Sequence, residues 1–114
     1  MFKIKTQSSH DEIEISNQEF DKIKNNALII DVRDVGEYAV LKKIANPNAE
    51  LEIINVPYYE LIKNPSKYIK NKDIIIITIC NAGNRSTAAA INLREQGYKK
   101  SYVLNNGIYG YYRK

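Results

Sequence analysis

Cys80-Asn81-Ala82-Gly83-Asn84-Arg85-Ser86 is the stretch of this chain whose residue types and spacing could do chemistry. It holds the only cysteine and follows a β-branched run from Ile74 to Ile79. It leads into an Ala-rich segment that predicts a helix from Ser86 to Gln96. A thiol at such a turn sits where the amide N–H groups of the next helix point outward. That place favours anions, and a thiolate is an anion. A helix dipole contributes only ~0.3–1 kcal/mol, so most of the stabilisation has to come from loop amides and nearby positive charge. Ala82 and Gly83 let the backbone curl until successive amides face inward. Arg85 adds a fixed cation and a fork of donors suited to an oxyanion. The Ser86 hydroxyl either caps the helix or donates to the sulfur. Cys80 is therefore the candidate nucleophile, and Asn81, Ala82, Gly83, Asn84, Arg85 and Ser86 form the candidate binding loop. A lone cysteine is more often a small buried hydrophobe, but a core position has no use for Gly and Arg at loop spacing.

What the chain lacks narrows the chemistry. The single histidine is His10, near the N-terminus, so a Cys–His nucleophile pair is a poor reading. The residues do not supply a zinc ligand set, and no metal is expected. Sulfur transfer, phosphate-monoester hydrolysis and thiol redox chemistry remain. The last is weakened because no second cysteine exists to resolve a mixed disulfide.

These residues need elements to position them. Ile13-Glu14-Ile15 alternates as a short strand does. Ser16 with Glu19 forms a capping box opening a helix that carries Phe20 and Ile23 on one face. Asn25-Asn26 ends that helix, and Leu28 to Ile30 is a buried strand running into Asp31. Val35 to Leu41 predicts a short helix, and Ile53-Ile54 a third strand closed by Asn55-Val56-Pro57. Tyr58 to Lys63 and Pro65 to Ile69 read as helical turns. The helix behind the cysteine loop stops at Gly97, Tyr102 to Leu104 is the last strand, and Asn105-Asn106-Gly107 is a turn. Strands alternating with helices predict an α/β fold with a parallel sheet. Ligands of such sheets bind at the carboxyl ends of the strands, where Asp31 and Cys80 fall. Asp31 and Arg33 read either as substrate ligands or as an ion-pair frame, with Glu37 helping to tie the Asp31 turn to neighbouring loops. The frame is preferred, because a reactive loop needs rigid support.

Composition sets the outer bounds. With 114 residues, 44 % apolar and 26 % charged, the chain makes one globular domain with its own core. Residues 1–12 are read as a flexible N-terminal segment and residues 13–114 as the folded domain. The net charge of +4 is spread thinly, in pairs such as Lys42-Lys43 and Lys99-Lys100, so nucleic acid is not an expected partner. The nine tyrosines lie on several elements, which suits packing rather than base stacking. A mildly basic surface helps gather small anions. No apolar run approaches the ~20 residues of a membrane span, and Met1 to Glu14 carries no signal-like stretch. One cysteine fits a reducing compartment, and the cytoplasm is the expected location.

Taken together, these segments resemble the rhodanese family of sulfurtransferases. Cys80-x-x-Gly83-x-Arg85-Ser86, with Ala88-Ala89-Ala90 and Leu93 through Gly97-Tyr98 behind it, is similar to the active-site segment of small rhodaneses. Asp31-Val32-Arg33-x-x-x-Glu37-Tyr38 resembles the family's second signature, and Asn55-Val56-Pro57 the segment after its third strand. Val103-Leu104 with Asn106-Gly107 resembles its terminal strand and glycine turn. The resemblance implies a five-stranded parallel sheet, order 1-5-4-2-3, with helices on both faces, residues 13–114 forming this rhodanese-like domain. It implies a thiosulfate sulfurtransferase in which Cys80 takes sulfane sulfur from a small anionic donor. The persulfide then passes it to cyanide, a thiol or a protein acceptor. Amides of Asn81 to Ser86 would stabilise the persulfide and Arg85 would help hold the donor, with no metal or organic cofactor. A sulfur-relay or regulatory module with little turnover is the alternative. Phosphatases and arsenate reductases of the same fold resemble Cys-x5-Arg, whereas Cys80 to Arg85 is Cys-x4-Arg, a smaller ring that suits sulfur. Two departures from the family stand out. Ala39 to Ile44 lacks the usual Gly-His turn, and the connection through Glu52 is longer. The family's paired glycines and late aromatic appear as Asn106-Gly107 and Tyr109 or Tyr112.

Overall fold

The computed structural model describes residues 13–113; residues 1–12, read as flexible from sequence, and residue 114 lie outside the described residues. Along the chain run β1 (Glu14–Ile15), α1 (Asn17–Ile23), a 3-10 turn (Lys24–Asn26), β2 (Ala27–Asp31), α2 (Val35–Val40) and β3 (Glu52–Asn55). There follow α3 (Tyr58–Lys63), α4 (Pro65–Tyr68), β4 (Ile75–Ile79), α5 (Asn84–Glu95), β5 (Ser101–Leu104) and α6 (Gly107–Arg113). The five strands form one parallel sheet in the order β1-β5-β4-β2-β3, as the family resemblance implies. Asp31 pairs with Ile79 on one side and with Asn55 on the other. The ends of β2, β3 and β4 are therefore level, and Asp31, Asn55 and Cys80 share one rim of the sheet.

Strand alternation sorts the core into two layers. Leu28, Ile30 and Ile76 pack on one face with Leu61, Leu93 and Tyr98, beneath α3 and α5. Ala27, Ile29, Ile77 and Ile79 pack on the other with Phe20 of α1 and Ile108 of α6. Helices thus cover both faces, the condition under which strands can be apolar throughout. Each fully buried Leu, Ile or Phe is worth ~1.5–3 kcal/mol. An exposed pair such as Lys24–Asp21 is worth ~0–1 kcal/mol. The two layers, not the surface charges, hold the sheet together.

Local chemistry accounts for the ends of elements. Ser16 and Glu19 form the expected capping box at α1, with the Glu19 N–H donating to Ser16 Oγ at 3.1 Å and the Ser16 N–H to Glu19 Oε1 at 2.8 Å. The segment after Cys80 departs from expectation. Its helix begins at Asn84, with Gly83 as N-cap at φ +110°, so Ser86 stands inside the first turn and does not cap it. A left-handed N-cap is a conformation glycine adopts without the Cβ penalty. The turn expected at Asn105-Asn106-Gly107 continues into a further helix, α6, whose Gly and Tyr content is a weak helix signal. Tertiary contacts supply what propensity does not. Ile108 is buried, and Tyr112 clamps the long connection between α2 and β3. Its hydroxyl accepts from the Ala45 N–H at 2.7 Å and donates to the Lys43 carbonyl at 2.9 Å.

Candidate functional site

β4 delivers Cys80 to the carboxyl rim, and the six residues after it curl into a ring around the sulfur. The Gly83 N–H donates to Sγ at 3.1 Å and the Ser86 N–H at 3.4 Å. Ser86 Oγ lies 3.2 Å from Sγ and also within 3.2 Å of the Gly83 carbonyl. One hydroxyl proton cannot serve both acceptors. With a thiol, S–H donates to Ser86 Oγ, whose own proton goes to Gly83. With a thiolate, the hydroxyl turns to the sulfur. Ser86 can thus follow the ionisation of Cys80 by rotating one torsion. The amides of Asn81, Ala82, Asn84 and Arg85 make no hydrogen bond among the described residues, leaving four further donors in the ring.

The carbonyls of the same peptides face the other way. Cys80 C=O accepts from the Ile108 N–H at 2.9 Å and Asn81 C=O from the Tyr109 N–H at 3.0 Å. In a trans peptide C=O and N–H point in opposite directions. Pinning these carbonyls against α6 therefore restricts how the following amides can turn. Gly107 makes the approach possible: a Cβ there would lie 2.5 Å from both carbonyl oxygens.

A polar chain runs behind the ring. Arg33, fully buried, donates from Nε to Asp31 Oδ1 at 3.0 Å and from Nη2 to Asp31 Oδ2 at 2.8 Å, and its Nη1 donates to Asn81 Oδ1 at 3.1 Å. Asn55 Nδ2 donates to the carbonyls of Asp31 at 3.0 Å and Arg33 at 2.9 Å. Asn81 Nδ2 continues to Glu37 Oε2 at 3.3 Å, and Arg85 grips both Glu37 oxygens at 2.7 and 3.1 Å. The structure thus brings Asp31, Arg33, Asn81, Glu37 and Arg85 into one network of two negative and two positive charges. Ala82 and Asn84 stand exposed at the rim. Arg85, read from sequence as a fork for an oxyanion, spends that fork on Glu37. Asn55 was not recognised as a support. Its signal was a polar residue ending an apolar strand before Val56-Pro57.

The Arg85 hydrogen bonds, then the Asp34 N–H, bring the Glu37 carboxyl down to about 2 from an ordinary 4.5. Arg85 is raised by the same partner. A lowered carboxylate stabilises the fold fully above its unfolded value and loses that contribution as pH falls through the folded one. Unfolding titrations should therefore show a Glu37-linked loss between pH 4.5 and about 2. Glu37→Gln should remove that segment of the profile, and an unchanged profile would contradict the pairing.

Among the described residues no group of His, Cys, Asp and Glu is arranged to hold a metal, and no helix is long and apolar enough to cross a membrane.

The bacterial protein named "Putative sulfur carrier protein YrkF", from Bacillus subtilis (strain 168), is 35 % identical over 77 residues, which is 68 % of this chain and 36 % of that protein. The chain thus spans about a third of that relative's length. A rhodanese-related protein from Thermoplasma volcanium superposes with a TM-score of 0.70 at 27 % identity, covering 88 % of this chain and 90 % of the other. The human single-domain sulfurtransferase TSTD1 superposes at 0.74, covering 90 % and 96 %, and at 20 % identity it speaks for the fold alone. The Rhodanese-like domain family model matches residues 16–114, and the chain belongs to that family.

Proposed function

We propose that the protein is a cytoplasmic sulfurtransferase that carries sulfane sulfur on Cys80. The observation that carries this reading is the convergence of the Gly83 and Ser86 amides and the Ser86 hydroxyl on one sulfur inside a Cys-x4-Arg ring. In the first step the Cys80 thiolate attacks the outer sulfur of thiosulfate or a similar anionic donor. The S–S bond of the donor breaks, its electron pair leaves with sulfite, and Cys80 becomes a persulfide. In the second step cyanide, a thiol or a protein acceptor attacks the outer sulfur, and the Cys80–S bond returns its electron pair to Sγ. No external base is required for either transfer, which agrees with a chain whose single histidine is His10. The open amides of Ala82, Asn84 and Arg85 supply donors for the terminal sulfur.

The likeness to a Bacillus protein named as a sulfur carrier favours a second reading, a carrier that hands sulfur to a dedicated partner with little turnover on small acceptors. Mass spectrometry of the intact protein tests both. Incubation with thiosulfate is expected to add the mass of one sulfur atom, and Cys80→Ser is expected to gain none. Discharge by cyanide and small thiols supports the enzyme; discharge only by a protein partner supports the carrier. No adduct with any sulfane donor, or Cys80-dependent hydrolysis of an aryl phosphate, would overturn the reading.

A further inference from the structure

A groove of about 500 Å³ opens beside the cysteine ring, lined by Ala82, Asn106, Tyr109, Gly110 and Arg113. Its volume falls in the ~300–1,000 Å³ range of small-molecule sites and is far larger than thiosulfate needs. The ring contributes one residue to its lining. Ala82 lines the groove directly, and Gly83 lies within van der Waals reach of Asn106, whose backbone nitrogen would meet a Cβ there at 3.6 Å. The remaining wall is α6, with the half-exposed Tyr109 ring and Arg113.

Charge decides what the groove would take. Among the described residues Arg113 is the one charged residue in the lining, no acidic residue shares it, and Arg113 makes no ion pair. The other cations near the ring are already paired: Arg33 has its guanidinium on Asp31 and Asn81, and Arg85 has both ends of its own on Glu37. Resting on the Cys80 persulfide reading, we propose that this groove is the subsite of the sulfur acceptor. The acceptor is a thiol bearing a carboxylate, with Arg113 as the residue that selects the anionic group. The acceptor thiolate attacks the outer sulfur of Cys80–S–SH. A new S–S bond forms on the acceptor, the bond between Cys80 Sγ and the outer sulfur breaks, and its electron pair stays on Sγ. The products are an acceptor persulfide and the Cys80 thiolate.

The test uses protein loaded to the persulfide and two probes matched in size, 3-mercaptopropionate and 2-mercaptoethanol. Arg113→Gln is expected to lower the second-order rate of discharge by 3-mercaptopropionate on the order of tenfold, the scale of one charge-assisted hydrogen bond. Discharge by 2-mercaptoethanol should stay unchanged. Arg113→Glu should lower the carboxylate probe further, and Arg113→Lys should recover part of it. Equal rates in wild type and Arg113→Gln, or a parallel fall with both probes, would overturn the inference. Failure to load any persulfide in the wild type would overturn the underlying reading instead, so the two failures are distinguishable.

Discussion

Arg33→Ala is expected to destabilise the fold by ~3–5 kcal/mol, the range for removing one partner of a buried ion pair. Asp31, 1 % exposed, would be left buried without the guanidinium fork that meets both its oxygens. For a domain of ordinary stability, ~5–15 kcal/mol, that is a large fraction of the whole. The loss would also reach the reactive loop, because Arg33 Nη1 is what holds Asn81 Oδ1 from behind. Arg33→Lys should recover little, since an ammonium lacks the planar fork that meets both Asp31 oxygens. Denaturant unfolding of the three proteins checks this. An unfolding free energy for Arg33→Ala within about 0.5 kcal/mol of wild type would show that the pair contributes nothing the core does not already supply.

Gly107→Ala is expected to be nearly as severe and to act on chemistry as well as stability. A non-glycine residue in the left-handed region costs ~1–2 kcal/mol, and Gly107 has φ +64°. Overpacking adds ~1–3 kcal/mol, because the new Cβ would sit 2.5 Å from the carbonyl oxygens of Cys80 and Asn81. Relief requires α6 to move off the loop, which breaks the Ile108 and Tyr109 hydrogen bonds and lets those peptides rotate. Persulfide loading should then fall at least ~10-fold in protein that is still folded, the rate cost of misplacing a reactive group by a fraction of an ångström. Gly36→Ala is the control. Nothing lies within 4 Å of its Cβ position, and a helical Gly-to-Ala change gains ~0.5–1 kcal/mol. Loading at the wild-type rate in Gly107→Ala would refute the idea that α6 sets the ring.

The sheet was legible because its signal is local and redundant. Runs such as Leu28 to Ile30 and Ile74 to Ile79 are too apolar and β-branched to be anything but covered strands, and turn residues bracket them. Strand order is not local, and it came from the resemblance of several short signatures rather than from any one segment. The start of α5 was misplaced by two residues because Ser86 looks like a cap. The real N-cap, Gly83, makes no side-chain hydrogen bond and leaves no capping pattern to read. α6 was read only as a turn, since its stability lies in contacts to the loop at Cys80 and, through Tyr112, to Lys43 and Ala45, all distant in sequence. The pairing of Arg85 with Glu37 was equally hidden. The residues lie 48 positions apart, and nothing at either position names the other.

Cys80 is 2 % exposed, and that figure bears on how the protein ages under peroxide. Irreversible oxidation of a thiol to sulfinic and sulfonic acids follows both its thiolate character and its accessibility. Here the two are uncoupled: the sulfur is surrounded by donors that suit an anion, yet almost none of it meets solvent. Since the chain has a single cysteine, no neighbouring thiol can rescue a sulfenic acid as an internal disulfide. Shielding by the ring takes the place of that missing repair route.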